Sequence, residues 1–173
     1  MPIFSHKFSG LFLGKRKAKP QPLVIEDELE TFTMKNPETD KYFSGEIDLP
    51  FGKVDIMLEP DGTETGTAQK ALQHFHSFVP NAADWDARIK QSAADEFAEK
   101  DGTIETWGSC ESDSEGETIS KEAFMRRIAM NFICFYSDGS IFFDYNLDDM
   151  FTDHGLGVNA DISGSIESCA LWG

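Results

Sequence analysis

The sequence predicts an α+β domain of about seven mostly antiparallel strands, in the order β-β-β-α-α-β-β-β-β, with a helix pair packed on the sheet. Three observations carry this. Residues 31–58 alternate apolar and polar side chains in short runs separated by turn residues. Residues 68–97 switch to a helical period. Residues 127–172 return to strand composition around Asp138-Gly139, a strong two-residue hairpin signal.

In the first third, Phe32 and Met34 alternate with Thr31, Thr33 and Lys35, and Asn36-Pro37 turns the chain. Phe43, Gly45, Ile47 and Leu49 alternate with Ser44, Glu46 and Asp48 up to the break at Pro50-Phe51-Gly52. Val54, Ile56 and Leu58 follow, ending at Pro60-Asp61-Gly62. Three antiparallel strands, each with one wet face, are expected. Glu26 to Glu30 reads as an acidic lead-in of one helical turn.

Ala68, Ala71, Leu72, Phe75, Phe78 and Val79 form one helical stripe that stops at Pro80. Asn81 is placed to cap a second helix, with Trp85, Ile89, Ala93 and Phe97 inward and Gly102 past its end. Thr103 to Trp107 reads as a short strand, and Gly108 to Glu117 as a polar loop. Ser120 caps a short helix carrying Phe124. Arg127 to Tyr136 reads as a strand, and Ile141, Phe143, Tyr145 and Leu147 form one face of its hairpin partner, with Phe142 and Asp144 on the other. Two strands, Leu156 to Ile162 and Ser165 to Trp172, close the chain.

The chain divides into a basic, apolar tail, residues 1–25, and a single domain, residues 26–173. The net charge of −16 is uneven: five of the 15 basic residues and none of the 31 acidic ones fall in residues 1–25. The remaining ten basic against 31 acidic residues leave the body at −21. Such a body repels nucleic acid and attracts a basic partner. In the tail the charges follow the apolar run, the reverse of a secretory signal. Its two expected behaviours are a flexible extension and contact with a membrane surface or the acidic body. No apolar run approaches the roughly 20 residues of a membrane span. Three cysteines at wide spacings, Cys110, Cys134 and Cys169, form neither a disulfide framework nor a zinc pattern and fit the cytoplasm.

Asp138-Gly139, Phe142-Phe143, Asp148-Asp149-Met150-Phe151, His154-Gly155-Leu156-Gly157-Val158 and Gly173 make a pattern that resembles a family of bacterial domains of unknown function. Phe43-Ser44-Gly45, Trp85, Trp107 and Phe124 are similar to its earlier part, so the likeness covers Leu29 to Gly173. The chain departs from it before the histidine, with Asp153 where such families typically have Gly. The resemblance implies no activity; it extends loosely to small acidic immunity proteins of bacterial toxin systems.

Asp144, Asn146 and Asp148 open like a calcium loop, but Asp149 and Gly155 stand where Gly and a bidentate Glu are needed. Asp148, Asp149 and Asp153 remain as noncanonical metal ligands, against the ordinary role of Asp in turns. His154 with Asp149 or Asp144 is the candidate acid–base pair. The alternative is a histidine that bonds a backbone carbonyl and pins its loop. No nucleophile motif accompanies it, and the acids around Cys110 disfavour its thiolate. His74 and His76 do not share a helix face; His74 is expected in water and His76 at the stripe's edge.

The sequence therefore points first to a non-catalytic, acidic protein-binding module, in the manner of an immunity-type antagonist of a basic toxin or effector. Glu111, Asp113, Glu115, Glu117, Asp148, Phe151 and Asp153 are its candidate contacts, and no cofactor is implied. A divalent-metal enzyme or ligand-binding domain built on the Asp144–His154 loop is the alternative. An acidic mimic of DNA ranks third and requires carboxylates in two rows.

Overall fold

The computed structural model describes residues 23–35, 41–62, 66–99, 119–148, 150–151 and 154–173. Its strands lie side by side in chain order in one sheet: β1 (Val24–Glu26), β2 (Thr31–Lys35), β3 (Tyr42–Leu49), β4 (Gly52–Leu58), β5 (Ala129–Phe135), β6 (Ser140–Asn146), β7 (Gly155–Asp161) and β8 (Ile166–Trp172). All neighbours are antiparallel except β4 and β5, which are parallel. A parallel pair needs a crossover. Here it carries α1 (Gln69–Phe78), a 3-10 turn (Val79–Asn81), α2 (Ala82–Phe97) and α3 (Lys121–Arg127).

The α+β class and the antiparallel character hold, and the described sheet has eight strands. The added strand is β1, where residues 24–26 pair with residues 31–33 and the acidic lead-in is a hairpin connection instead of a helical turn. Arg127 belongs to α3, so β5 starts two residues later than its composition suggested. The short strand expected at 103–107, Gly102, and the tail up to residue 22 lie outside the described residues.

Alternation puts Phe32, Phe43, Ile56, Leu58, Ile133, Phe135, Phe143, Tyr145 and Val158 on one face of the sheet, all fully buried. Against them pack Phe75 and Phe78 of α1, Trp85 and Ile89 of α2 and Phe124 of α3. Phe78 sits centrally, its ring centroid 6.2, 5.5 and 5.9 Å from those of Trp85, Phe135 and Phe143.

Capping differs from the sequence expectation in one place. Ser120 does cap α3, accepting from Ala123 N at 3.2 Å. Asn81 does not use its side chain to cap α2; its Nδ2 donates to Ser77 O at 3.3 Å. The 3-10 turn runs straight from α1, and this brings Asn81 over the last turn of α1. At α1 the cap comes from a distance: Asp61 accepts from Gln69 N, Lys70 N and Thr67 Oγ1 at 2.8 to 3.0 Å. Burial opposes ionisation of Asp61, but these donors outweigh it and lower its pKa.

The hairpin turns at Asp138-Gly139, but its loop spans 137–139 instead of two residues: Gly139 N donates to Tyr136 O at 3.3 Å, Gly139 alone takes a positive φ (96°), and Asp138 Oδ1 accepts from Ser140 N and Oγ. The Ser140 hydroxyl and amide hold the Asp138 pKa below its usual value. A depressed folded-state pKa gives stability that is present above the unfolded value and lost as pH falls through the folded one. Asp138→Ala is therefore expected to be less stable than wild type at pH 6, with the gap closing as pH falls below about 4. Urea melts of both proteins across that range check it; a constant gap would contradict it.

Candidate functional site

The segment from Asp144 to His154 leaves β6 and enters β7. His154 Nδ1 donates to Phe151 O at 3.0 Å, and His154 N reaches the same carbonyl at 3.3 Å. This is the loop-pinning role weighed against catalysis. His154→Ala is expected to cost about 1 kcal/mol, the scale of a lost part-buried hydrogen bond, in a urea melt. An unchanged midpoint would show that the ring does not hold the loop.

Asp148 has φ 50°, a left-handed conformation that Asp tolerates. Asn146 Oδ1 accepts from its amide at 2.8 Å. Its carboxylate and its carbonyl accept from Arg127, at 2.8 and 2.7 Å. Among the described residues no three His, Cys, Asp or Glu are grouped to hold a metal ion. Asp149 and Asp153, needed for the proposed metal set, lie outside those residues, as do Glu111, Asp113, Glu115, Glu117 and Cys110. Phe151, one of the candidate contacts, is 3% exposed. Its ring packs on Phe97 and Phe124 in the core, because the turn at 147–150 folds the loop inward.

Asp144 belongs elsewhere, on the sheet face opposite the helices. Its Oδ2 accepts from Asn131 Nδ2 at 3.0 Å and its Oδ1 from Trp172 Nε1 at 3.1 Å. Phe132 and Phe142 share that face and are half-buried; their centroids are 6.5 Å apart. Trp172 is 53% exposed. Glycines in β7 let these rings lie on the sheet. A Cβ at Gly157 would stand 3.0 Å from Phe142 Cε2 and 3.1 Å from Trp172 Cδ1, and one at Gly155 would stand 3.1 Å from Trp172 Nε1. No described element covers this face.

The face is also charged. Register and alternation give it Glu26, Glu46, Asp48, Asp55, Asp144 and Asp161 against Lys35 and Lys53. Glu46 bonds the Lys53 ammonium at 2.6 Å, which raises the lysine pKa. Row by row, Glu46, Asp55, Phe132, Asp144 and Gly157 run across five strands, and Ser44, Met57, Cys134, Phe142 and Asn159 run beside them. Cys134 is buried, and desolvation pushes its thiol up to about 11, so it is inert at neutral pH. The sequence contained this face as an alternation in β6, but the three aromatics sit on three different strands that only the sheet register brings together.

On the helix side, His76 Nε2 lies 3.0 Å from both Asp27 carboxylate oxygens and ties α1 to the β1–β2 connection. His74 is half-buried near the Asp138-Gly139 turn instead of standing in water. In the core, Tyr145 OH donates to Asp86 Oδ1 at 3.0 Å and Lys90 Nζ approaches Oδ2 at 3.0 Å.

The family model described as "Uncharacterized protein conserved in bacteria (DUF2262)" matches residues 26–171. The chain belongs to that bacterial family. No curated protein and no solved structure matches it. No described helix is long and apolar enough to cross a membrane.

Proposed function

We propose that this member of an uncharacterized bacterial family is a non-catalytic protein-binding module whose open sheet face contacts a basic partner. The observation that supports it is the aromatic patch of exposed Trp172 with half-buried Phe132 and Phe142, set among carboxylates on a face that no described element covers. Exposed apolar patches with a polar surround are typical contact surfaces. Of the groups considered for catalysis, His154 bonds a backbone carbonyl and Asp144 accepts from Asn131 and Trp172, while Asp149 lies outside the described residues. An acidic face speeds association with a cationic partner and makes it salt-sensitive. Antagonism of a basic toxin or effector, as an immunity protein performs it, is the role this reading favours over that of a metal-dependent enzyme.

The test is capture from the host lysate on the immobilised full-length chain, beside a Phe142→Ser/Trp172→Ser variant and an Asp95→Asn control on α2. One basic protein retained by wild type and by the control, and lost with the face variant and in 0.5 M salt, is the expected result. An empty capture, or equal retention by the face variant, contradicts the reading.

A further inference from the structure

Resting on that reading, we propose that the cleft across β3, β4 and β5 is a guanidinium site that takes an arginine side chain of the partner. The cleft has a volume of about 540 Å³, and its lining includes Tyr42, Met57, Phe132, Glu46 and Asp55. Phe132 is the key residue. Its register partners are Asp55 on β4 and Asp144 on β6, so an acidic residue stands on the strand to either side of it, at a backbone spacing of about 4.8 Å. A flat cation stacked on that ring presents N–H groups at both edges, one toward each carboxylate.

The two acids are equipped for this. Asp55 is exposed, and its side chain has no hydrogen bond or ion pair among the described residues. Asp144 accepts one bond on each oxygen, from Asn131 and Trp172, which fixes its carboxylate and leaves acceptor capacity on both atoms. One residue beyond, Glu46 already holds an ammonium, that of Lys53. Lys35 also lines the cleft, but beside Tyr42, four residues along β3 from Glu46 and roughly 13 Å away. The cation is therefore directed to the Phe132 end.

Arginine fits better than lysine. Its planar fork stacks on an aromatic ring and donates along two edges at once, whereas an ammonium is a compact point charge. A surface that merely attracted cations through its net charge would not distinguish them.

The experiment is a titration of the full-length protein with fluorescein-labelled hexa-arginine and hexalysine at fixed ionic strength, read by anisotropy. Hexa-arginine is expected to bind about tenfold more tightly. Asp55→Asn and Phe132→Leu are each expected to lose most of that preference, and Asp95→Asn on α2 to keep it. Asp55 is exposed, so its variant decides the matter should Phe132→Leu melt early. Equal binding of the two peptides, or equal losses from Asp55→Asn and Asp95→Asn, overturns the site. A captured partner that survives Asp55→Asn removes this assignment and leaves the binding module; hexa-arginine binding with an empty capture does the reverse.

Discussion

Phe78→Ala is expected to cost about 4 kcal/mol, within the usual range for emptying a core aromatic position. The ring is fully buried and lies within ring-contact distance of Trp85, Phe135 and Phe143. It thereby joins α1 to α2 and to strands β5 and β6. Its loss removes the transfer free energy, three edge or tilted aromatic contacts and the packing that the crossover depends on. A domain of this size has about 5–15 kcal/mol of total stability, so a large fraction disappears. Phe78→Leu keeps most of the volume and is expected to lose less than half as much. Urea denaturation measures both; a cost near 1 kcal/mol for the alanine variant would mean that α1 docks through other residues.

The second large effect lies at Asp86, the one charged residue in the described core, at 8% exposure. It accepts the Tyr145 hydroxyl and pairs with Lys90 one helical turn on. Asp86→Ala leaves a fully buried hydroxyl and a half-buried ammonium without an acceptor. The expected cost is about 3 kcal/mol, since breaking a buried pair from one side is far worse than removing both partners. Tyr145→Phe removes only the hydroxyl and should cost about 1 kcal/mol. Once Asp86 is gone, the phenylalanine change should become nearly neutral, because the unmet donor goes with it. Additive losses in that cycle would contradict the pairing. Burial, and then the Asp86 charge, hold the Tyr145 pKa well above its ordinary value, so the hydroxyl stays a donor across the working pH range.

The elements that the sequence showed best have a strong period and a marked end. The alternation through Phe43–Leu49 and the Asp138-Gly139 turn needed no tertiary information. The stripe of Phe75 and Phe78 is likewise local. β1 was illegible because three residues carry too short a pattern, and only pairing with residues 31–33 makes them a strand. Arg127 was misplaced because the helix end and strand start are adjacent, and the cap at Ser120 sets the helix without fixing its length.

The site was legible only in fragments. A backbone carbonyl as the partner of His154 was one of two readings open from the sequence, and the contact, to Phe151 O, is local. Phe151 sits in a polar run, so it read as a contact, although the turn buries it against Phe97 and Phe124. The open-face patch requires four strands, β5 to β8, to be in register, and periodicity alone cannot supply that. One signal was present: Gly155 and Gly157 alternate on β7 beside the Phe142 and Asp144 alternation on β6. Small residues opposite large ones mark a place where rings lie over a sheet.

The most direct test of the account is a carboxyl footprint of the complex with the captured partner. The protein is labelled with a carbodiimide and glycine ethyl ester, free and bound, and the modified residues are read by mass spectrometry. The account predicts that Glu46 and Asp55 lose reactivity in the complex while Asp95 and Glu96 on α2 keep theirs. Protection of the α2 residues with Asp55 still reactive would place the partner on the helices and contradict it.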